Sequence, residues 1–340
     1  EVREARLASS YQCETGVMGG EVATKMNRQR YAVKFLRSSV KYDRRRFERG
    51  AADLAIEAKL LSALDHPNII KLHGIAAGDV EQCFASGRER SFFLILDRLY
   101  DTLEDRIETW SELSARYSSL SFRFVRDARG CKRRSLMIER MQCARDLASA
   151  VEYLHNRNVV FRDIKPENVG FYAKSILKLF DFGLSKELKP SRRLADGTYR
   201  LTGNTGSRRY MAPEVAMGHS YGFEVDSYSF GILLWEICAL EKPFLGFSEA
   251  RHAELVVEGG HRPPIDAGGQ HSHWPERVRD LMVMCWNEHP YTRPNFTFIS
   301  NELQTFLDEE AIEQMTGLLG SPSSFKSGRK KRIGSFSAAA

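Results

Sequence analysis

The chain has 340 residues, 42% of them hydrophobic and 28% charged, with a formal net charge of +6. That balance is too apolar for a disordered chain and too mildly basic to argue for nucleic acid, and the length suits about two domains or lobes. No run of about 18 apolar residues occurs, so no membrane span is expected. The cysteines form no Cys-x-x-Cys pair and sit near no histidine cluster, which argues against a zinc site or a disulfide scaffold and for a reducing cytoplasmic or nuclear compartment. The chain starts at Glu1 without Met or an apolar leader and reads as a piece of a longer protein.

In chain order, "EVAT" (21–24) and "RYAVKFL" (30–36) alternate apolar with polar residues as half-buried strands do. A helix is expected from about Asp43 to Leu64, where Ala55, Ala58, Leu61 and Leu64 recur on one face. "DHPNIIKLHGI" breaks that helix at Pro67 and opens a strand, and "SFFLIL" (91–96) forms another. Beyond residue 100, helical periodicity dominates at 136–155, 224–240 and 276–286. The apolar run Gly231 to Leu240, interrupted by Glu236, reads as a buried helix. The polar stretch 105–135, with the basic "RDARGCKRR" (126–134), reads as a solvated insert. Residues 308–340 read as a polar, basic, disordered tail, in which "KSGRKKR" (326–332) is a candidate nuclear-import patch on an otherwise solvated segment.

Chemistry concentrates in "VVFRDIKPENVGFYAKSILKLFDFGLSK" (159–186). Phosphoryl transfer from a nucleotide needs a carboxylate to orient the attacking hydroxyl and a cation near the γ-phosphate. It also needs an amide oxygen and a second carboxylate to hold a divalent metal. Asp163, Lys165, Asn168 and Asp181 supply one of each.

Over residues 15–307 the sequence resembles the eukaryotic protein kinase family, with several motifs in the family's order. "YAVK" (31–34) is similar to the strand carrying the phosphate-binding Lys34, and Glu57 to its helix partner. "FRDIKPEN" (161–168) resembles the catalytic loop and "DFG" (181–183) the metal-binding turn. "GSRRYMAPE" (206–214) resembles the end of the activation segment, and Arg293 in "CWNEHPYTRP" is expected to pair with Glu214. The resemblance implies an α+β, two-lobed kinase fold, with a small β-rich lobe at 15–98, a larger helical lobe at 99–307, and a flank at 1–14 outside it.

What the resemblance implies about the site is specific. Asp163 is the expected base, and Asn168 and Asp181 the expected ligands of Mg²⁺, or of Mn²⁺ in its place. Lys34, oriented by Glu57, is expected to grip the α- and β-phosphates of ATP. The adenine would lie in the cleft by the hinge Asp97 to Leu99, with Leu96 as gatekeeper, Val22 and Ala32 as roof and Asp101 within reach of the ribose. Lys165 and Ser207 point to a serine/threonine rather than a tyrosine kinase, and the late motifs "DSYSFGILLWEI" and "CWNEHPYTRPNF" resemble the tyrosine-kinase-like branch. The expected partners are therefore protein substrates with Ser or Thr, lying along Ser207 to Tyr210, and an upstream activating kinase. Phosphorylation at Thr202 or Thr205 would dock on Arg162 and order the segment.

Three departures set the family's pattern against this sequence. In the glycine-rich loop "TGVMGGEV" (15–22), Gly20 is kept, but Thr15 and Val17 replace the first two glycines. Phe161 stands where His is usual, in an expected spine with Leu61, Leu72 and Phe182. Gly170 stands where a Leu usually floors the adenine pocket, a loss worth roughly 1–3 kcal/mol of binding. The alternative reading is a pseudokinase scaffold; against it, Lys34, Glu57, Asp163, Asn168 and Asp181 are all present. A nucleic-acid-binding domain is the third reading, with no RNA- or DNA-binding motif to support it.

Overall fold

Antiparallel pairing of alternating segments builds a four-stranded sheet from β1 (Val2–Ala5), β2 (Tyr31–Phe35), β3 (Leu72–Ala76) and β4 (Phe93–Asp97), in the order β1-β2-β4-β3. The computed structural model describes residues 2–5, 31–36, 43–76, 93–118, 130–265 and 274–318. Ala32 pairs with Leu96 and Lys34 with Leu94. With a side-chain period of two, these four residues share one face, so the gatekeeper position and the lysine look the same way. Val2 pairs with Lys34, so the flank drawn at 1–14 contributes a strand to the small lobe. The glycine-rich segment with Gly20 and Val22, and the expected strand at 21–24, lie outside the described residues.

Helix α1 (Arg44–Ser62) starts where the Asp43 side chain accepts from the Arg45 and Arg46 amides, satisfying two orphan donors of the first turn. Its buried face is Phe47, Ala51, Leu54, Ala58 and Leu61. Ala55 is exposed, because a strict three-residue spacing drifts around a helix of 3.6 residues per turn. Glu57 is the one carboxylate on the buried face, 3% exposed. A buried carboxylate needs a cation, and that need ties α1 to β2.

The larger lobe opens with β5 (Asp101–Thr102) and α2 (Leu103–Ser118). Thr102 and Asp105 cap α2 reciprocally: the Thr102 amide donates to Asp105 and the Asp105 amide to the Thr102 hydroxyl. Residues 105–118 are therefore helix rather than insert. Helix α3 (Cys131–His155) follows, then β6 (Val159–Val160), β7 (Val169–Tyr172), β8 (Ile176–Leu179) and β9 (Lys186–Glu187). After α4 (Pro213–Ala216), helix α5 (Glu224–Ala239) is buried on all sides, as its apolar composition requires. Next come α6 (Glu249–His252), α7 (Glu276–Cys285) and α8 (Phe296–Leu318), the last packing along α3. Helix α8 runs past the boundary drawn at residue 307. Glu310 and Glu313 pair with Arg134, and Glu309 with Arg277, so residues 308–318 are helix held to the lobe by charge.

Between the lobes, the Leu179 amide donates to Asn68 O and the Ile70 amide to Leu179 O, a one-bridge parallel link from the loop after α1 to β8. Lys178 crosses beside it to reach Ile69 O at 3.1 Å and the Asp97 carboxylate at 3.5 Å.

Candidate active site

Lys34 projects from β2 between two carboxylates. Its ammonium lies 2.8 Å from Glu57 and 2.8 Å from Asp181 Oδ1. Burial lowers the Lys34 pKa, but the neighbouring Glu57 and Asp181 charges override it and hold the pKa above its ordinary value. Burial raises the Asp181 carboxyl, and the Lys34 ammonium more than offsets that, keeping it below the usual carboxylate range. Both groups are thus ionised at neutral pH. The Phe182 amide adds a 3.3 Å contact to Glu57 Oε1, so the buried glutamate holds the strand lysine and the turn after Asp181 together. The Phe161 and Phe182 rings meet edge to face with centroids 5.2 Å apart, so Phe161 keeps the aromatic packing expected of its position. Leu61 belongs to the same buried core, and Leu72 packs against it partly buried.

Asp163 has both oxygens engaged. Oδ1 accepts from the Ser207 amide at 2.8 Å, and Oδ2 accepts from Asn168 Nδ2 at 2.8 Å and lies 2.8 Å from Lys165 Nζ. Asn168 Nδ2 also donates to Asp163 O, which commits the amide nitrogen and fixes the opposite direction of the amide oxygen. Lys165 Nζ donates to Ser207 Oγ at 2.8 Å, joining the loop to the activation segment. Gly206, at φ +101, makes this closure feasible, since a Cβ there would lie 2.5 Å from Arg162 O.

Arg162 adopts a left-handed backbone conformation, φ 71, uncommon for a side-chain-bearing residue. Asp226, fully buried in the first turn of α5, holds the backbone there by accepting from the Phe161 and Arg162 amides at 2.8 Å and meeting His155 Nε2 at 2.8 Å. Sequence reasoning missed Asp226; an aspartate opening an otherwise apolar helix was the available signal. Arg162 Nη1 donates to the Thr202 hydroxyl at 3.1 Å, and the Thr205 hydroxyl lies 3.1 Å from that of Thr202. Arg162, Lys186, Lys189, Arg192, Arg200 and Thr202 line a cavity of about 590 Å³, with Glu187 as the acid among them. Thr198 and Tyr199, nearby in sequence, are buried.

Among the remaining expected residues, Leu96 is buried opposite Ala32. The Asp97 side chain is 6% exposed and engaged elsewhere, accepting from the Lys71 amide and meeting His73 Nε2 at 2.8 Å and Lys178. The Asp101 carboxylate accepts from Arg106 Nε at 2.9 Å, and that guanidinium stacks on Phe171 at 3.6 Å. Leu99 and Gly170 touch: a Cβ on Gly170 would lie 2.5 Å from Leu99 Cδ1. Glu214 and Arg293 form the expected pair, two parallel bonds of 2.6 and 3.1 Å, with the arginine side chain fully buried.

A lysine–glutamate pair reaching a turn aspartate, beside an aspartate–lysine–asparagine loop between a small sheet and a helical lobe, is an arrangement suited to phosphoryl transfer. The protein tyrosine and serine/threonine kinase family model matches residues 12–303, and the chain belongs to that family. It is 38% identical to the dual specificity protein kinase shkB of Dictyostelium discoideum over half of this chain and a quarter of that protein. It is 30% identical to mitogen-activated protein kinase kinase kinase 7 of Drosophila melanogaster over 78% of this chain and a third of that protein. It is 37% identical to the serine/threonine-protein kinase VIK of Arabidopsis thaliana over 52% of this chain and 40% of that protein. The chain thus spans at most two fifths of these relatives' lengths.

Proposed function

We propose that the chain transfers the γ-phosphate of Mg-ATP to serine and threonine hydroxyls of proteins. The observation that carries this reading is the closed set of contacts joining Lys34, Glu57 and Asp181 on one side and Asp163, Lys165, Asn168 and Ser207 on the other. Lys34 would hold the α- and β-phosphates, pre-oriented by Glu57 so that little rotamer entropy remains to be lost. Asn168 and Asp181 suit a divalent cation: one offers an amide oxygen whose nitrogen is tied back, the other an ionised carboxylate half exposed to solvent. Such an ion, Mg²⁺ or Mn²⁺, would neutralise phosphate charge. Asp163 would accept the proton of the attacking hydroxyl, positioned by its bonds to Ser207 and Asn168. Lys165, shared between Asp163 and Ser207, would sit near the developing charge.

The Lys165–Ser207 bridge supports serine/threonine specificity, since Ser207 held against Asp163 would leave little room for a longer phenol. Asp97 would contribute through its main chain alone, because its carboxylate is committed, and Asp101 would contact the ribose while sharing its charge with Arg106. Regulation at Thr202 or Thr205 by an upstream kinase is supported by the exposed hydroxyls and the cationic cavity beside them, where a phosphate of about −2 charge would meet Arg162 and its basic neighbours. The test is transfer from radiolabelled Mg-ATP to a generic basic protein, with phosphoamino-acid analysis and an Asp181→Asn control. Label on Ser or Thr that disappears in the variant supports the reading. No transfer with retained nucleotide binding turns it to a pseudokinase.

A further inference from the structure

Helices α2, α3 and α8, with Pro275 at the start of α7, line a cavity of about 520 Å³ that shares no residue with the Lys34–Asp163 site. Leu136, Met137 and Phe306 give it buried apolar walls. Three arginines of α3 and two glutamates of α8 also line it, and their charges are unevenly paired. Glu310 and Glu313 both bond to Arg134. Arg140, 5% exposed, has no carboxylate in ion-pair contact among the described residues. Its Nε donates to Leu136 O at 3.2 Å, and its Nη1 to Ile237 O and Cys238 O at 3.3 and 3.2 Å. The last two are carbonyls at the end of α5, which offers only about half a negative charge. Nη2 makes no bond among the described residues. Burial lowers the Arg140 pKa and the surrounding charges do not restore it, yet a guanidinium stays protonated in a protein. A full positive charge therefore stands on the cavity wall, nine-tenths buried and without a counter-ion, which is costly unless an anion joins it.

We propose that this cavity binds a small monocarboxylate with an apolar body, its carboxylate on Arg140 Nη2 and its body against Leu136, Met137, Pro275 and Phe306. A concave site of several hundred Å³ with apolar walls and a few convergent polar groups is the usual form of a small-molecule site. The one open edge of Arg140 matches one carboxylate oxygen, in a charge-assisted bond strengthened by the dry surroundings. Charge on the lining narrows the class. Glu310 and Glu313 disfavour a dianion such as a phosphate monoester, and Arg133, Arg134 and Arg140 disfavour a cation. Binding here is independent of phosphate transfer, since the two sites have no residue in common.

The test is calorimetric titration of the full chain with octanoate, octanol, acetate and octyl phosphate, with the melting temperature of each variant without ligand as a control of folding. Octanoate should bind saturably, one per chain. Octanol lacks the charge and acetate the apolar body, so each should bind at least about tenfold more weakly. Octyl phosphate should also be weaker than octanoate. Arg140→Gln should weaken octanoate about tenfold or more and leave octanol within about twofold, a split that a general loss of packing would not produce. Should Arg140→Gln fail to fold, because it also loosens the end of α5, Ser114→Trp decides the location. Ser114 lines the cavity from α2, and a large side chain there should fill the space and weaken octanoate and octanol alike by about tenfold or more. The octanoate-to-octanol ratio in the parent then reads the charge. The proposal is overturned if octanoate shows no saturable binding up to about 1 mM, if octanol or octyl phosphate binds as tightly as octanoate, or if Ser114→Trp binds octanoate within about twofold of the parent.

Discussion

Replacing Glu236 with Gln should stabilise the chain at alkaline pH and leave it nearly unchanged in acid. Glu236 lies within α5, 2% exposed, with the Tyr210 hydroxyl donating to it at 2.6 Å. Burial pushes its pKa from the ordinary 4.5 up to about 7, against the lowering effect of the Tyr210 bond, and the nearby Glu167 charge adds to the rise. A carboxyl whose folded pKa lies above its unfolded one stabilises the protein below the unfolded value and loses that contribution as pH rises to the folded value. The interval from 4.5 to about 7 corresponds to about 3 kcal/mol, of which about 2 kcal/mol is lost between roughly pH 5.5 and 8. Glutamine keeps an acceptor for Tyr210 and, like the protonated acid, a donor, so the comparison is balanced in acid. Urea unfolding of parent and Glu236→Gln across this range isolates the group, since titrations that Glu236 does not influence cancel in the difference. The variant should gain about 2 kcal/mol on the parent between about pH 5.5 and 8. A flat difference, or a parent more stable than the variant at about pH 8, refutes the assignment.

The buried Glu214–Arg293 pair makes a second prediction: Glu214→Ala leaves a fully buried guanidinium without its carboxylate and should cost about 3–5 kcal/mol, read as a lower urea midpoint. On the activation segment, Thr202→Ala with Thr205→Ala should lower transfer activity at least about tenfold after treatment with activating kinases, since no phosphate could then reach Arg162. Unchanged activity in that double variant would remove the regulatory reading.

The residues most legible in the sequence are those whose role needs a fixed type at a fixed place. Lys34, Glu57, Asp163, Asn168 and Asp181 stand in order along the chain, and the fold brings them within bonding distance in two groups. The strands around Lys34 and Leu96 and the fully apolar α5 are legible for a similar reason, because burial pattern and period agree. Helix α2 was hidden by its polarity. Only Leu103, Ile107 and Trp110 of it are buried, and the Thr102–Asp105 capping box was the local sign of its start. The end of α8 was hidden because its acids are matched by Arg134 and Arg277, far away in sequence. Asp97 illustrates the same limit inside the site. Its position at the hinge is readable, but its engagement by His73 and Lys178 depends on two other strands. Gly170 reads as a missing side chain in sequence, and only the fold shows how closely Leu99 and Phe180 approach it.

The central claim is that Asp163 serves the acceptor hydroxyl while Lys34, Asn168 and Asp181 serve the nucleotide, within one site. Asp163→Asn measures it directly, with phosphate transfer and nucleotide-induced thermal stabilisation read on the same preparation. The variant should keep its shift in melting temperature with Mg-ADP and lose transfer by about a hundredfold or more. Transfer surviving within a few-fold of the parent, with the nucleotide still bound, would contradict the account.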